Sequence, residues 1–121
     1  MATFEDAVAA TRHLAGVEVS TSYGTPALKV RGKTFARVWG PRDRGRANVD
    51  GAQVLVVWCD PDEKRFLLAE EPALFTTPHY DAHASVLVRL DLVDAPTLAR
   101  LLADAYAEVA APTTRKRAKP S

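Results

Sequence analysis

Seven basic side chains lie close together in the first half of the chain and could bind an anion. They fall between residues 29 and 46, where only one acid interrupts them: Lys29, Arg31, Lys33, Arg37, Arg42, Arg44 and Arg46. Residues 60–108 carry the opposite balance, with ten acids and four bases, although the whole chain has a net charge of only +1. Such segregation predicts a basic surface for phosphate groups, most naturally those of a nucleic acid. A solvated charged surface is the alternative.

His79, Asp81 and His83 alternate along the chain and could provide two imidazoles and one carboxylate for a metal ion. That arrangement needs an extended segment, whereas Pro78 and the polar composition around it predict an irregular loop. We therefore expect no bound metal and no other cofactor.

Two further patterns bear on catalysis. Residues 40–46 have the glycine spacing of a phosphate-binding loop, but Arg46 and Ala47 stand where that motif needs Lys and Ser or Thr. Cys59 and His79 could form a nucleophile pair if the fold brought them together. Cys59, however, ends a strongly apolar run, where burial would keep its thiol protonated. The sequence therefore favours a binding protein over an enzyme.

Arg37 is a separate candidate for binding chemistry because apolar residues surround it in the sequence. If Gly32-Lys33 forms a two-residue turn, Arg37 lies opposite Leu28. It then shares a face with Leu28, Val30, Phe35 and Trp39. A guanidinium among apolar neighbours needs a partner. That partner is an internal carboxylate, solvent at the end of an extended side chain, or a bound anion.

Short helices and strands must position these side chains. Apolar periodicity and capping residues predict helices over residues 4–15, 61–70 and from 95 until Pro112. Alternating or continuous apolar runs predict strands over residues 17–23, 27–31, 34–39, 54–58, 73–77 and 85–90. This order, with short connections, predicts a two-layer α+β fold. We expect a mainly antiparallel sheet of five to six strands with the helices packed on one face.

The chain has 121 residues, and we predict a single domain over residues 1–112. Residues 113–121 are basic and have nothing to bury, so a disordered tail is predicted. The apolar runs are too short for a membrane helix. The single cysteine, Cys59, fits a reducing cytoplasm. A monomer in the cytoplasm, away from membranes, is the expectation.

Several blocks of sequence resemble the MmcQ/YjbR-like family, in residues 14–18, 22–37, 59–61, 77–80 and 86–90. The most specific are residues 23–37 and the motif Pro78-His79-Tyr80. The resemblance extends from Phe4 to about Pro112. The positions that match the family are Tyr23, Gly24, Pro26, Lys29, Phe35, Arg37, His79, Tyr80 and Arg89. It implies a CyaY-like (frataxin-like) topology, also called double wing, and a DNA-binding function. The loop at residues 40–48 and the basic tail depart from the family pattern, and the resemblance gives them no role.

Two binding functions follow from these observations. In the first, the seven bases contact DNA phosphates weakly and without sequence preference. In the second, a small anionic ligand, or the substrate of an enzyme of unknown type, binds in a pocket lined by Tyr23, Lys29, Arg37, His79, Tyr80 and Arg89. A protein-interaction surface on the acidic half is a third alternative. Convergence of the pocket residues would favour the ligand, and bases spread over a convex ridge would favour DNA.

Overall fold

The computed structural model describes residues 2–22, 25–39, 53–77 and 80–110. The elements in this part of the chain are α1 (Phe4–Ala10), β1 (Val17–Ser22), β2 (Thr25–Val30), β3 (Lys33–Val38), β4 (Val54–Trp58), α2 (Pro61–Glu70), β5 (Leu74–Phe75), β6 (Ser85–Arg89) and α3 (Ala95–Ala110). All six strands form one sheet in the order β1-β2-β3-β4-β6-β5, and every neighbouring pair is antiparallel. The predicted α+β class is confirmed. The predicted tail at residues 113–121 lies outside the described residues.

The helices begin where their capping residues indicate. The Thr3 hydroxyl accepts a hydrogen bond from the backbone N–H of Asp6, and the Asp6 carboxylate accepts one from the backbone N–H of Thr3 at 2.8 Å. Asp60 and Asp94 cap the next two helices by accepting hydrogen bonds from backbone N–H groups two and three residues further on. These side chains satisfy N–H groups that have no partner inside the helix, which fixes each helix start.

Helix α1 is five residues shorter than the sequence pattern predicts. The Thr11 hydroxyl donates to the carbonyl oxygens of Ala7 and Val8 at 3.3 and 3.0 Å, and the Thr11 backbone N–H also donates to Val8. These local bonds compete with continued helical bonding and close the last turn. Residues 11–16 form turns, and Gly16 has a φ of +77°, which suits a residue without a side chain.

Helices α1 and α3 pack side by side over one face of the sheet, here called the first face. The buried strand residues of this face are Leu28, Val30, Phe35, Ala36, Val38, Leu55, Val57, Val86 and Val88. Leu98 and Leu102 of α3 complete the core, and the α2 residues Leu67 and Leu68 pack against it. The predicted placement of the first and third helices on one face is confirmed, as is the predicted burial of Cys59.

The opposite side of the sheet, here called the second face, carries a smaller cluster. Its buried members are Trp39, Val54, Val56, Tyr80 and Leu87, with Phe75 and Trp58 packed against them. The rings of Trp39 and Phe75 meet edge to face with centroids 5.6 Å apart. This side is therefore aromatic and, unlike the first face, includes side chains with polar atoms.

The turn of the β2–β3 hairpin differs by one residue from the predicted Gly32-Lys33 turn. Val30 pairs with Lys33, so the two turn residues are Arg31 and Gly32. Their φ angles are +54° and +76°, and positive values at both positions give the primed turn that matches the twist of the strands. The prediction is wrong because a non-glycine residue in the left-handed region leaves no sign in the sequence.

A bulge in β3 determines which side chains of this strand face the helices. Lys29 pairs with Thr34 and Leu28 pairs with Ala36, so Phe35 has no partner in β2. Phe35 and Ala36 consequently both join the first-face core.

The bulge moves Arg37 to the second face, whereas the shifted turn alone changes its pairing by two residues and keeps the face. Arg37 pairs with Ala27 of β2 and Val56 of β4, and cross-strand partners share a face. The predicted placement of Arg37 beside Leu28 and Phe35 is therefore wrong.

Candidate functional site

Arg37 lies in a row of side chains that crosses the second face. Across β2, β3, β4, β6 and β5 the strand registers align Ala27, Arg37, Val56, Leu87 and Phe75. The guanidinium is thus the charged group of an otherwise apolar row, on a strand inside the sheet. Arg37 itself is half-buried. Partial burial weakens competition from water and strengthens its interaction with any acceptor.

Tyr80 contacts Arg37 from the turn before β6. An Nη of Arg37 donates to the Tyr80 hydroxyl at 2.6 Å, and Tyr80 is only 6% exposed. The structure therefore brings together two of the six predicted pocket residues. A guanidinium beside a phenolic hydroxyl presents several donors in a small space, which is an arrangement suited to an oxyanion.

Trp39 adds a third polar group to this cluster. Its indole N–H is buried and, among the described residues, is the buried side-chain group that has no hydrogen-bond partner. Leaving such a donor unsatisfied costs about 1–3 kcal/mol. The sequence places Trp39 on the same face as Arg37, as the structure does, but Trp39 was not among the predicted pocket residues.

The turn that carries Tyr80 is held by Lys64 of α2. The ammonium group donates to the backbone carbonyl oxygens of Tyr80, Asp81 and His83 at 2.6, 3.2 and 2.8 Å. Lys64 is 7% exposed. Burial lowers the pKa of Lys64, against the opposing effects of Cys59 and Asp81. Lys64 is not among the predicted site residues, because its contacts lie sixteen to nineteen positions away in the chain and leave no local signal.

Three of the predicted bases lie at the end of the β2–β3 hairpin. Arg31 and Lys33 are exposed at the turn. Lys29 is half-buried and pairs with Glu18 of β1. The hairpin end therefore exposes two cations, while the register places a carboxylate beside the third.

Arg89 does not join the Arg37–Tyr80 pair. It pairs with Val54, so it lies on the second face, two strands away from Arg37. Its guanidinium donates to both carboxylate oxygens of Asp91 at 3.1 and 2.7 Å. This bond raises the pKa of Arg89 and lowers that of Asp91. Arg89 is therefore a member of an ion pair.

The remaining predicted site residues lie outside the described residues: Tyr23, Arg42, Arg44, Arg46 and His79. Of the metal candidates, Asp81 accepts a hydrogen bond from the Thr76 hydroxyl at 3.0 Å, and the ring of His83 lies 5.6 Å from that of Tyr80. Within the described ranges no three His, Cys, Asp or Glu side chains are grouped as a metal site would require.

The thiol of Cys59 is poorly suited to nucleophilic chemistry. Burial raises its pKa from the ordinary 9.0 to about 11, and Lys64 opposes this shift only in part. A thiol with such a pKa carries almost no thiolate near neutral pH. The catalytic partner considered in the sequence analysis, His79, lies outside the described residues.

The fold and these sites define a small α+β protein with an open antiparallel sheet, a basic hairpin and an arginine–tyrosine pair on the sheet face away from α1 and α3. The YjbR family model matches residues 12–108, and the chain belongs to the YjbR family. The resemblance found in the sequence is thereby confirmed. No curated protein and no solved structure matches the chain. None of the helices in the described ranges is long and apolar enough to cross a membrane.

Proposed function

We propose that this YjbR-family protein binds the phosphate backbone of DNA through its β2–β3 hairpin. The observation that carries the proposal is the concentration of cations at the hairpin end, where Arg31 in the two-residue turn and Lys33 at the start of β3 are both exposed. In the proposal the hairpin acts as one of the two wings of the double-wing description. The bases Arg42, Arg44 and Arg46 extend the same charge along the sequence.

The proposed binding is weak and does not depend on base sequence. Lys and Arg contacts to phosphate position a protein on a duplex but carry no direct information on the bases. The binding follows from charge, so it falls steeply as salt rises. The protein would act in the cytoplasm, where its buried thiol stays reduced.

Salt dependence tests the hairpin directly. Five phosphate contacts among the seven bases would give a slope of log K against log salt of about −4 to −5, from ~0.9 per phosphate. The double variant Arg31→Asn with Lys33→Gln should flatten this slope by up to about 2 in fluorescence anisotropy with a labelled duplex. Asn is chosen at position 31 because it tolerates the left-handed backbone found there.

Matched variants distinguish the contribution of the hairpin to DNA binding from that of other basic residues. Arg65→Gln removes an exposed cation of α2 and should leave the slope unchanged. Replacing Arg42, Arg44 and Arg46 by Ala together should flatten it by up to about 3. Deleting residues 113–121 tests the tail alone. If the tail deletion abolishes binding while both sets of arginine and lysine replacements bind as the wild type does, the hairpin proposal is wrong.

A second candidate function is binding of a small oxyanion at Arg37. The specific observation in its favour is the 2.6 Å hydrogen bond between Arg37 and Tyr80 within an apolar cluster of the second face. Charge-assisted hydrogen bonds are roughly twice as strong as neutral ones, and a low local dielectric adds to their strength. An anion such as phosphate would meet the guanidinium and the hydroxyl together.

Titration calorimetry with inorganic phosphate tests this candidate. We expect a dissociation constant on the order of 1 mM for the wild type, at least about tenfold weaker binding for Arg37→Gln, and a smaller loss for Tyr80→Phe. Arg65→Gln again serves as the control of equal charge. Unchanged phosphate affinity in Arg37→Gln would exclude Arg37 as the site, whatever the outcome with DNA.

A further inference from the structure

Lys64 is the charged residue that the described part of the chain buries most completely. All three N–H bonds of its ammonium group have a carbonyl acceptor, and all three acceptors lie in residues 80–83. Exposed lysines rarely hold three fixed acceptors, because ordering the long side chain costs conformational entropy. The buried ammonium group is therefore fully hydrogen-bonded, and every bond it makes holds this one turn.

The carbonyl oxygens of the turn need a cation between them. Residues 80, 81 and 83 direct three carbonyl dipoles to one point, and their negative ends repel one another. The turn itself contributes two short-range bonds, from the Tyr80 N–H to Thr77 and from the His83 N–H to Tyr80. The ammonium group of Lys64 neutralises the converging dipoles and ties the turn to α2.

The same turn sets the position of the Tyr80 hydroxyl. Lys64 holds the backbone of Tyr80 at one end of the residue, and the hydroxyl at the other end accepts the hydrogen bond from Arg37. We infer that Lys64 is a positioning residue for the oxyanion site, acting through Tyr80 on Arg37. This inference rests on the second candidate function given above.

Replacing Lys64 separates this role from a general effect on folding. Lys64→Met keeps the length and apolar bulk of the side chain and removes the three donors, whereas Lys64→Arg restores a charge with donors. Arg65→Met, one residue further along α2 and exposed, is the matched control. Urea unfolding identifies any variant that fails to fold, and in that event Lys64→Gln replaces Lys64→Met.

Two readouts report the position of Tyr80 without any ligand. In Lys64→Met we expect amide hydrogen exchange of residues 80 and 83 to become at least about tenfold faster, because opening the turn no longer breaks the lysine bonds. We also expect the side-chain NMR signal of Arg37, assigned by its loss in Arg37→Gln, to shift. Lys64→Arg should recover part of both effects, and Arg65→Met should show neither.

Phosphate affinity supplies the third readout. Lys64→Met should weaken phosphate binding by no more than Tyr80→Phe does, and the two losses should not add in a double-mutant cycle, because both act through one hydroxyl. Additive losses, or an unchanged Arg37 signal in folded Lys64→Met, would overturn the inference. If the wild type binds no phosphate but the Arg37 signal still shifts, the oxyanion function fails and the positioning of Tyr80 by Lys64 stands.

Discussion

The two faces of the sheet differ in the kinds of side chain that they bury. On the first face, aliphatic side chains from the strands meet α1 and α3, and the tyrosine that joins them, Tyr106, directs its hydroxyl outward to the carbonyl of Ala15 at 2.5 Å. The second face buries an indole N–H without a partner and holds a guanidinium against a phenol. The first-face core is mainly aliphatic, whereas the second face buries the Trp39 indole N–H, whose missing hydrogen bond costs free energy.

This difference indicates where a binding function is to be sought. A stable domain of this size needs one well-packed core, and the first face provides it. In the oxyanion proposal, the polar atoms of the second face serve binding, and the first face supplies most of the stability. The following experiments test whether the two faces really differ in this way.

The largest expected effect comes from removing leucines in the centre of the sheet. Leu55 of the first face and Leu87 of the second are both fully buried on neighbouring strands. Leu55→Ala should lower the free energy of unfolding by about 3–5 kcal/mol, since helices and sheet enclose the cavity, and Leu87→Ala by about 2–3 kcal/mol. Urea unfolding of both variants measures this. A larger loss for Leu87→Ala would mean that the second face is the main core.

A smaller effect is expected from the titration of Cys59 at the first-face core. Its pKa is raised from 9.0 to about 11, so the native state keeps a proton that the unfolded chain loses above pH 9. The stabilisation is fully present below pH 9 and is lost as pH rises towards 11, by about 2 kcal/mol at pH 10.5. Lys64, whose pKa is lowered, contributes with the opposite sign.

Comparison with Cys59→Ala isolates the thiol. Urea unfolding at pH 8 and pH 10.5 should give a larger loss of stability in the wild type than in the variant. Equal losses would show that the thiol ionises as readily in the native state as in the unfolded chain, and hence that this end of the core is open to water.

The smallest effects are expected when the polar groups of two aromatic residues, one from each face, are removed by substitution with Phe. Tyr106→Phe removes a hydrogen bond to Ala15 and should cost about 1 kcal/mol. Trp39→Phe removes a buried donor that has no partner, which is stabilising, and also removes the packing of the larger ring, which is destabilising. Because these effects oppose each other, the net change in the free energy of unfolding should stay below about 1 kcal/mol. Thermal unfolding measures the stability of both variants relative to the wild type. A cost for Trp39→Phe well above that for Tyr106→Phe would mean that the packing lost with the indole ring outweighs the relief of the unsatisfied N–H.

Local signals in the sequence determine much of this fold. The continuous apolar run predicts β4 with its observed bounds, and Asp60-Pro61 predicts the start of α2, because a capping side chain and a fixed proline φ act within a few residues. The end of α1 and the turn at Arg31 were predicted wrongly. They depend on side-chain hydrogen bonds of Thr11 and on a left-handed residue, which periodicity does not encode.

The candidate site was predictable only in part. The apolar neighbours of Arg37 and the family resemblance both indicate Arg37, the resemblance also includes Tyr80, and the structure joins the two. The bulge at Phe35, which sets the face of Arg37, arises from the pairing of two strands and has no signal in one strand alone. The local sequence does not distinguish Lys64 from the other bases in residues 60–108, because its three carbonyl acceptors are distant in sequence.

The bulge in β3 also determines how this hairpin can change in length during evolution. Because Phe35 has no partner in β2, loss of one residue between Lys33 and Arg37 can be absorbed by a regular ladder that still pairs Arg37 with Ala27. Gain of one residue requires a second bulge or turns Arg37 towards the helices, since a shift of one residue exchanges the two faces. Among homologous genes that keep this arginine, we therefore expect single-codon deletions in β3 to be accepted more often than insertions.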